Sequence, residues 1–228
     1  MLKTALFLAL IAIVGLSGCS STVRTYADTL KLAFTQGEDA SLTKAELAER
    51  EADALYAKVG NKPIAVLGLA FLEHGQQKWI SADEAMLVIE KGRVVKTTGF
   101  SNNLMFQSNK IQDPVKQPMV KINQGQQWIS YTDWSEGSET GYESRYEIIQ
   151  VEVTSLDLLE HSFQTKLVTE QVTFADGTTA INFFWYDLKS GYLLKTKQTI
   201  APFWPELELT FISSAGRLLG IRNAGNRK

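Results

Sequence analysis

The sequence predicts a mainly β protein, one antiparallel sheet behind two short N-terminal helices. Three observations carry that reading. From Pro63 onward, apolar residues run or alternate in stretches of strand length, joined by short turns with no helices between them. Lys91-Gly92 and Asp176-Gly177 each separate two such stretches, as tight hairpin turns do. Helical spacing of apolar residues is confined to the segment before Gly60.

The first eighteen residues are of another kind. Met1-Leu2-Lys3-Thr4 carries one positive charge, and Ala5 to Val14 is an unbroken apolar run, followed by Gly15-Leu16-Ser17-Gly18-Cys19. A positive start, a short apolar stretch and small residues at the cut describe a signal peptide. The run is too short to span a bilayer, which takes about 20 apolar residues. Leu16-Ser17-Gly18-Cys19 resembles the lipobox of bacterial lipoproteins, with cleavage between Gly18 and Cys19. Small residues let the peptidase reach the backbone, and the Cys19 thiol is the nucleophile that takes the diacylglyceryl group. An ordinary secreted protein with a stray cysteine is the plainer alternative. Cys19 is the only cysteine, so no intrachain disulfide can form, and its acylation excludes a thiol enzyme or a cysteine-ligated metal. Mature lipoproteins of this class carry three acyl chains, more than the two that stable anchoring needs. Ser20 is compatible with outer-membrane sorting, since the inner-membrane retention signal is Asp there.

The organisation expected is a signal peptide over 1–18, a lipid-anchored segment with a helix over 19–40, and a β domain with a leading helix over 41–228. The removed segment holds one Lys and no acid, so 23 basic and 25 acidic residues become 22 and 25, a balance of −3. That near-neutrality argues against nucleic acid, which demands a basic face.

Val23, Tyr26, Ala27, Leu30 and Phe34 follow the spacing of one helical face. A second helix starts at Thr43, where Glu46 three residues on makes a capping box. It is expected to run through Leu47, Glu51, Ala54, Leu55 and Val59 to a stop at Gly60. Both helices are read as packing on the body. Ile64 to Leu72 is almost wholly apolar, a strand buried on both faces or central in a sheet. Met86–Glu90 and Arg93–Thr98 form a hairpin around Lys91-Gly92. Gln126 to Trp134 and Ser144 to Thr154 are further strands. Phe163 to Phe174 and Thr178 to Tyr186 flank Asp176-Gly177; Tyr192 to Thr199 follows a turn at Asp187–Gly191. Leu207 to Ile212 and Leu218 to Ile221 flank Ser213–Gly216 as a last pair. One echo occurs: Gly75-Gln76-Gln77-Lys78-Trp79-Ile80-Ser81 returns as Gly125-Gln126-Gln127-Trp128-Ile129-Ser130, without a fixed period.

Ile89-Glu90-Lys91-Gly92-Arg93-Val94-Val95-Lys96-Thr97-Thr98-Gly99-Phe100 resembles a segment of YjbF/GfcB lipoproteins, the group 4 capsule polysaccharide lipoproteins. A second likeness is Asn182-Phe183-Phe184-Trp185-Tyr186-Asp187, with Gly191, Lys195-Thr196-Lys197-Gln198 and Pro202 after it. The motif positions are Gly92, Arg93, Lys96, Thr97, Gly99, Asn182, Trp185, Asp187, Gly191, Gln198 and Pro202. The chain departs from the pattern at Lys195-Thr196-Lys197, where a serine is expected. The resemblance spans the mature chain. It implies a strongly curved antiparallel sheet, part-way to a barrel, on an outer-membrane lipoprotein that serves capsule or exopolysaccharide production. It brings no catalytic residues.

His74 and His161 lack ligand-like companions, so no metal site and no cofactor is expected. Asp133, Glu136, Glu139 and Glu143 cluster, but among Ser135, Gly137, Ser138, Thr140 and Gly141, which describes a solvated loop rather than a glycosidase pair. No Gly-x-Ser-x-Gly elbow and no Gly-rich phosphate loop is present. Trp79, Trp128, Trp134, Trp185, Tyr186, Phe203 and Trp204 are core candidates first. Sugars offer apolar C–H faces to rings, so Trp185, Tyr186, Phe203 and Trp204 are the possible glycan contacts, with Arg93, Asn182 and Gln198 as polar companions. Pro202 and Pro205 suit a rim for Phe203 and Trp204. The expectation is a non-enzymatic lipoprotein on the periplasmic face of the outer membrane, touching polysaccharide or polysaccharide-export proteins. A carrier cupping an acyl chain in an apolar cavity, and a polysaccharide-modifying enzyme with two facing carboxylates, are the alternatives.

Overall fold

The computed structural model describes residues 39–108, 111–136 and 140–221. The lipobox, Cys19, the helix expected over 23–34, Glu139 and the polar tail lie outside the described residues.

Twelve strands form one antiparallel sheet: β1 Ala54–Val59, β2 Ala65–Glu73, β3 Gln76–Ile80, β4 Met86–Glu90, β5 Arg93–Thr98, β6 Leu104–Gln107, β7 Gln127–Trp134, β8 Tyr142–Leu158, β9 His161–Phe174, β10 Thr179–Asp187, β11 Leu193–Gln198 and β12 Leu207–Thr210. Their spatial order is β5-β4-β3-β2-β1-β12-β11-β10-β9-β8-β7-β6. Two meanders are thus joined where β1 pairs β12, Tyr56 opposite Thr210 and Val59 opposite Leu207. The sheet curls until its edges meet: the Leu104 N–H on β6 donates to Thr97 Oγ1 on β5 at 2.9 Å. The result is a nearly closed barrel, which leaves almost no bare strand edge.

The hairpins follow the turn chemistry. Lys91 and Gly92 both take positive φ, 48° and 95°, as a type I′ turn requires. Strand β8 carries inward Tyr146 and Ile148 on one parity but Val151 on the other. A bulge between Ile148 and Gln150 shifts the register, so Val151 also reaches the core. The sequence echo has a structural counterpart. Gly75 and Gly125 both turn at positive φ, 79° and 84°, ahead of strands that bury Trp79 and Trp128.

Three expectations are corrected. The second helix stops early: α1 is Lys44–Glu49, and Ala54–Val59 is strand β1. The capping box at Thr43 and Glu46 is present, but Arg50 is extended and the chain enters the gap between β2 and β12. Backbone pairing on both sides there outweighs the helical periodicity of a short segment. Gly60, at φ 55°, therefore ends a strand rather than a helix. Near the C-terminus Ser213–Gly216 is no turn between strands, for Ile212–Leu218 is a helix, α2. Its Ile212 packs with Leu47, Ala54 and Val66, Ala215 packs with Phe163 and Leu194, and Ser213 Oγ accepts from the Ala54 N–H at 2.7 Å. Finally, β2 lies inside the sheet between β1 and β3, as its apolar run suggests, but it is buried only in its first half, and Phe71 and Leu72 are exposed.

The lumen is filled. Leu55, Leu67, Trp79, Leu87, Trp134, Leu207 and Leu209 pack across one half. In the other half the β6–β7 connection turns inward through two 3-10 turns, Pro114–Lys116 and Met119–Lys121, burying Val115 and Ile122 against Ile148, Val168, Phe184 and Tyr186. Each such side chain contributes about 1.5–3 kcal/mol when fully buried. This connection is a plug.

Candidate functional site

Arg93 is the first residue of β5 and points into the lumen, 2 % exposed. Its Nε and Nη2 donate to Asp113 of the plug at 2.8 and 3.1 Å, and its Nη1 and Nη2 donate to Glu170 of β9 at 2.8 and 2.7 Å. Both carboxylates are fully buried. The guanidinium carbon lies 5.0–5.2 Å from the ring centres of Trp128, Tyr146 and Phe184. A planar fork matched to two carboxylates between aromatic walls is what arginine supplies and lysine cannot. Burial opposes the charge, but the attraction of Asp113 and Glu170 outweighs it and holds the Arg93 pKa well above its ordinary value. Burial also pushes the Tyr146 and Tyr186 hydroxyls up, so both stay neutral.

The two motif segments converge on this cluster. Asn182 Nδ2 donates to Glu170 at 2.9 Å, while its Oδ1 accepts from the Thr199 N–H at 2.8 Å. Gln198 Nε2 donates to the Gly92 carbonyl at 2.8 Å and to Thr196 Oγ1 at 2.9 Å. Gly92 itself passes so close to β11 that a Cβ would stand 2.1 Å from a Leu193 methyl. The motif thus welds the β4–β5 turn to β10 and β11 from within, and Asp113 fastens the plug to the weld. Asp113 also accepts from the Val115 N–H, Tyr186 Oη donates to the Val115 carbonyl, and Lys166 Nζ donates to the carbonyls of Met119 and Ile122.

Other motif residues act locally. Thr97 holds the seam, and Gly99 at φ 86° runs against the Ala85 backbone, where a Cβ would meet Cα at 2.9 Å. Asp187 Oδ2 accepts from the Ser190 N–H and hydroxyl, fixing the β10–β11 turn that ends at Gly191. Lys96 is half-buried and Pro202 exposed.

The rings expected to meet sugar separate. Trp185 lies on the outer wall, half-buried, with Lys195 Nζ 5.8 Å from its ring centre. Phe203 is at a rim, edge-on to Trp134 at 5.0 Å. Tyr186, Trp204 and Arg93 are turned inside, Trp204 with its indole N–H on the Asn102 carbonyl at 2.7 Å. Of the five, Trp185 and Phe203 reach the surface; the other three are buried against the protein itself.

Among the described residues no three His, Cys, Asp or Glu side chains converge on a metal position. His74 and His161 are both exposed, at turns. Asp133 accepts from the Gly141 N–H, Glu143 pairs with Arg145, and Glu136 is exposed. Asp113 and Glu170, though close, are each held on Arg93 and shut from solvent.

The barrel is open at the end that carries the β2–β3, β4–β5 and β10–β11 turns. There a mouth of about 1620 Å³ is lined by Arg50, Phe71, Lys91, Met119, Tyr192 and Arg217 among others. A smaller hollow of about 290 Å³ at the opposite end is lined by Phe100, Phe203 and Trp204. Sequence reasoning missed Asp113, Glu170 and Lys166, which stand apart from the motif segments.

Residues 27–212 match the family model described as "Group 4 capsule polysaccharide lipoprotein gfcB, YjbF". The chain belongs to this family. Two curated relatives from Escherichia coli (strain K12) span it. "Uncharacterized lipoprotein GfcB" is 25% identical over 204 residues, covering 88% of this chain and 94% of the relative. "Uncharacterized lipoprotein YjbF" is 26% identical over 200 residues, covering 88% and 93%. The crystal structure of the hypothetical lipoprotein YmcC from Escherichia coli (K12) has the same fold, with a TM-score of 0.74 at 23% identity, over 86% of this chain and 97% of that one. As a member of the YjbF/GfcB family the chain is a lipoprotein, held to a membrane by lipid.

Proposed function

We propose that this YjbF/GfcB barrel supports the production or export of a surface polysaccharide without catalysing a reaction. It is cut between Gly18 and Cys19, lipidated at Cys19 and held on the outer membrane facing the periplasm. The observation that carries the reading is the contrast between the buried interior of the lumen and its open mouth. Its strongest chemistry, the Arg93–Asp113–Glu170 cluster, is spent on holding the plug. What is left to solvent is a wide mouth whose lining mixes rings, amides and charges.

That contrast supports binding over the alternatives. An acyl carrier needs a long apolar cavity, and here side chains and the plug fill the lumen. A glycosidase needs two carboxylates facing a cleft, and the buried pair is already bridged by an arginine. A mouth with Tyr192 and Phe71 beside cations and amides suits a glycan strand or a segment of an export protein.

Deleting the gene and quantifying surface polysaccharide tests the proposal. A clear fall in polysaccharide, restored by the wild-type gene, is expected; unchanged polysaccharide in the deletion strain contradicts the role.

A further inference from the structure

Strand β8 outruns one of its neighbours. Its ladder with β7 ends at Glu147 opposite Gln127, while its ladder with β9 continues from Gln150 to Leu158. Among the described residues no strand stands on the other side of Gln150–Leu158. The bulge decides where the backbone groups of that run point. Ile148 turns to β7 side: its N–H donates to the Gln126 carbonyl at 2.9 Å, and its carbonyl accepts from the Gly125 N–H at 2.8 Å. Ile149 is the inserted residue, after which Gln150 faces Thr169 of β9. Val151, Val153, Ser155 and Asp157 therefore turn their backbone N–H and C=O groups away from β9, toward the open side.

This edge is held in place and poorly defended. The turn at Leu159 and Glu160, φ 53° and 60°, closes the hairpin. Leu159 packs against the cluster of Leu47 and Ile212, Leu156 and Leu158 pack against that of Phe163 and Ala215, and Glu160 pairs with Lys44 at 2.7 Å. Bare edges are commonly blunted by lysine, proline or a covering segment. The run Gln150 to Leu158 holds no lysine, arginine, proline or glycine, and Val153 in its middle is 64 % exposed. We infer that this edge pairs with the same edge of a second copy, antiparallel about a two-fold axis at Thr154. The run is its own complement. Pairing about Thr154 uses all of Gln150–Leu158 and matches the outward groups of Val151 with Asp157 and of Val153 with Ser155. It sets Glu152 against Leu156 and Asp157 against Val151, so no acid faces an acid. It also sets Thr154 against Thr154, a pair that favours a sheet. That charge pattern favours a copy of this chain as the occupant. No residue of the run lines the mouth, so the inference stands apart from the polysaccharide role.

The test uses the full mature chain with Cys19→Ala, which leaves no other thiol. In the inferred register the two Thr154 residues form a non-hydrogen-bonded pair, whose Cα spacing of about 4.5 Å suits a disulfide. The two Glu152 residues each face Leu156 of the other copy and stay out of disulfide reach. Under mild oxidation of the concentrated chain, Thr154→Cys is expected to form a covalent dimer and Glu152→Cys none, although Glu152 is the more exposed of the two. Val153→Pro removes an outward N–H that the fold leaves unused, a change that an edge tolerates. Added to Thr154→Cys, it should abolish the cross-link while the circular dichroism melt stays unchanged. Equal cross-linking at 152 and 154, or a cross-link that survives Val153→Pro, overturns the inference. Absence of any cross-link at 154 also overturns it and leaves the edge to a strand of another protein. Should Val153→Pro lower the melt, the contrast between 154 and 152 decides alone.

Discussion

At Gly92 two requirements meet: a left-handed backbone and a neighbour so near that no Cβ fits. Gly177 has the first requirement only, since nothing lies within 4 Å of its Cβ position. Gly177→Ala should cost about 1–2 kcal/mol, the penalty of left-handed backbone. Gly92→Ala should cost that plus about 1–3 kcal/mol for overpacking against Leu193, and urea midpoints of the two variants check the difference. Arg93→Ala strands two buried carboxylates and should lower stability by about 3–5 kcal/mol, read from the same titration. The sequence marked Gly92 and Arg93 as motif positions but placed Arg93 among possible glycan contacts. Its burial was not legible, because its partners lie 20 and 77 residues away in segments that carry no matching motif. Local pattern reports which face a side chain takes, not what waits there.

Elements show the same division. The capping box at Thr43 was legible because both its hydrogen bonds lie within one turn. The Thr43 backbone N–H and then its hydroxyl lower the Glu46 carboxyl below its ordinary value of 4.5. An acid lowered in the fold contributes stability that is fully present above its unfolded pKa and lost as pH falls through the lowered one. An NMR titration should therefore place the Glu46 midpoint below 4.5, and a midpoint at or above that value counts against the cap. What followed the cap was misread. Ala54, Leu55 and Val59 fit a helical face, yet β1 is required between β2 and β12, and its β12 partners lie 148 to 154 positions away. Helix α2 was hidden by the reverse effect, a turn-like Ser213-Ser214 whose hydroxyl serves β1. The β9–β10 hairpin was legible, since alternation and the Asp-Gly turn agree, whereas β8 and β9 run on past the expected Thr154 and Phe163 to a turn at Leu159-Glu160.

For the whole molecule, antiparallel class and curvature were expected, and a nearly closed barrel was found. The closure rests on one side chain at the seam, so it is weaker than any paired strand. Thr97→Val removes the acceptor of the Leu104 N–H and leaves that buried donor unmade, at about 1–3 kcal/mol. Hydrogen exchange should rise along β6 while β8 and β9 stay protected; uniform exchange across the sheet contradicts this picture of the seam. The plug was not legible at all, because residues 111–122 carry no periodicity and Asp113, which holds the plug inside, is buried on the distant Arg93. It explains why a barrel of twelve strands encloses packed side chains and keeps most of its accessible space at one mouth.

The measurement that bears most directly on the account is complementation of the deletion strain with Cys19→Ala, assayed for surface polysaccharide. A barrel that works at the membrane should accumulate folded in the periplasm and leave polysaccharide at the deletion level. Full restoration by that unanchored chain would contradict a function built on the lipid.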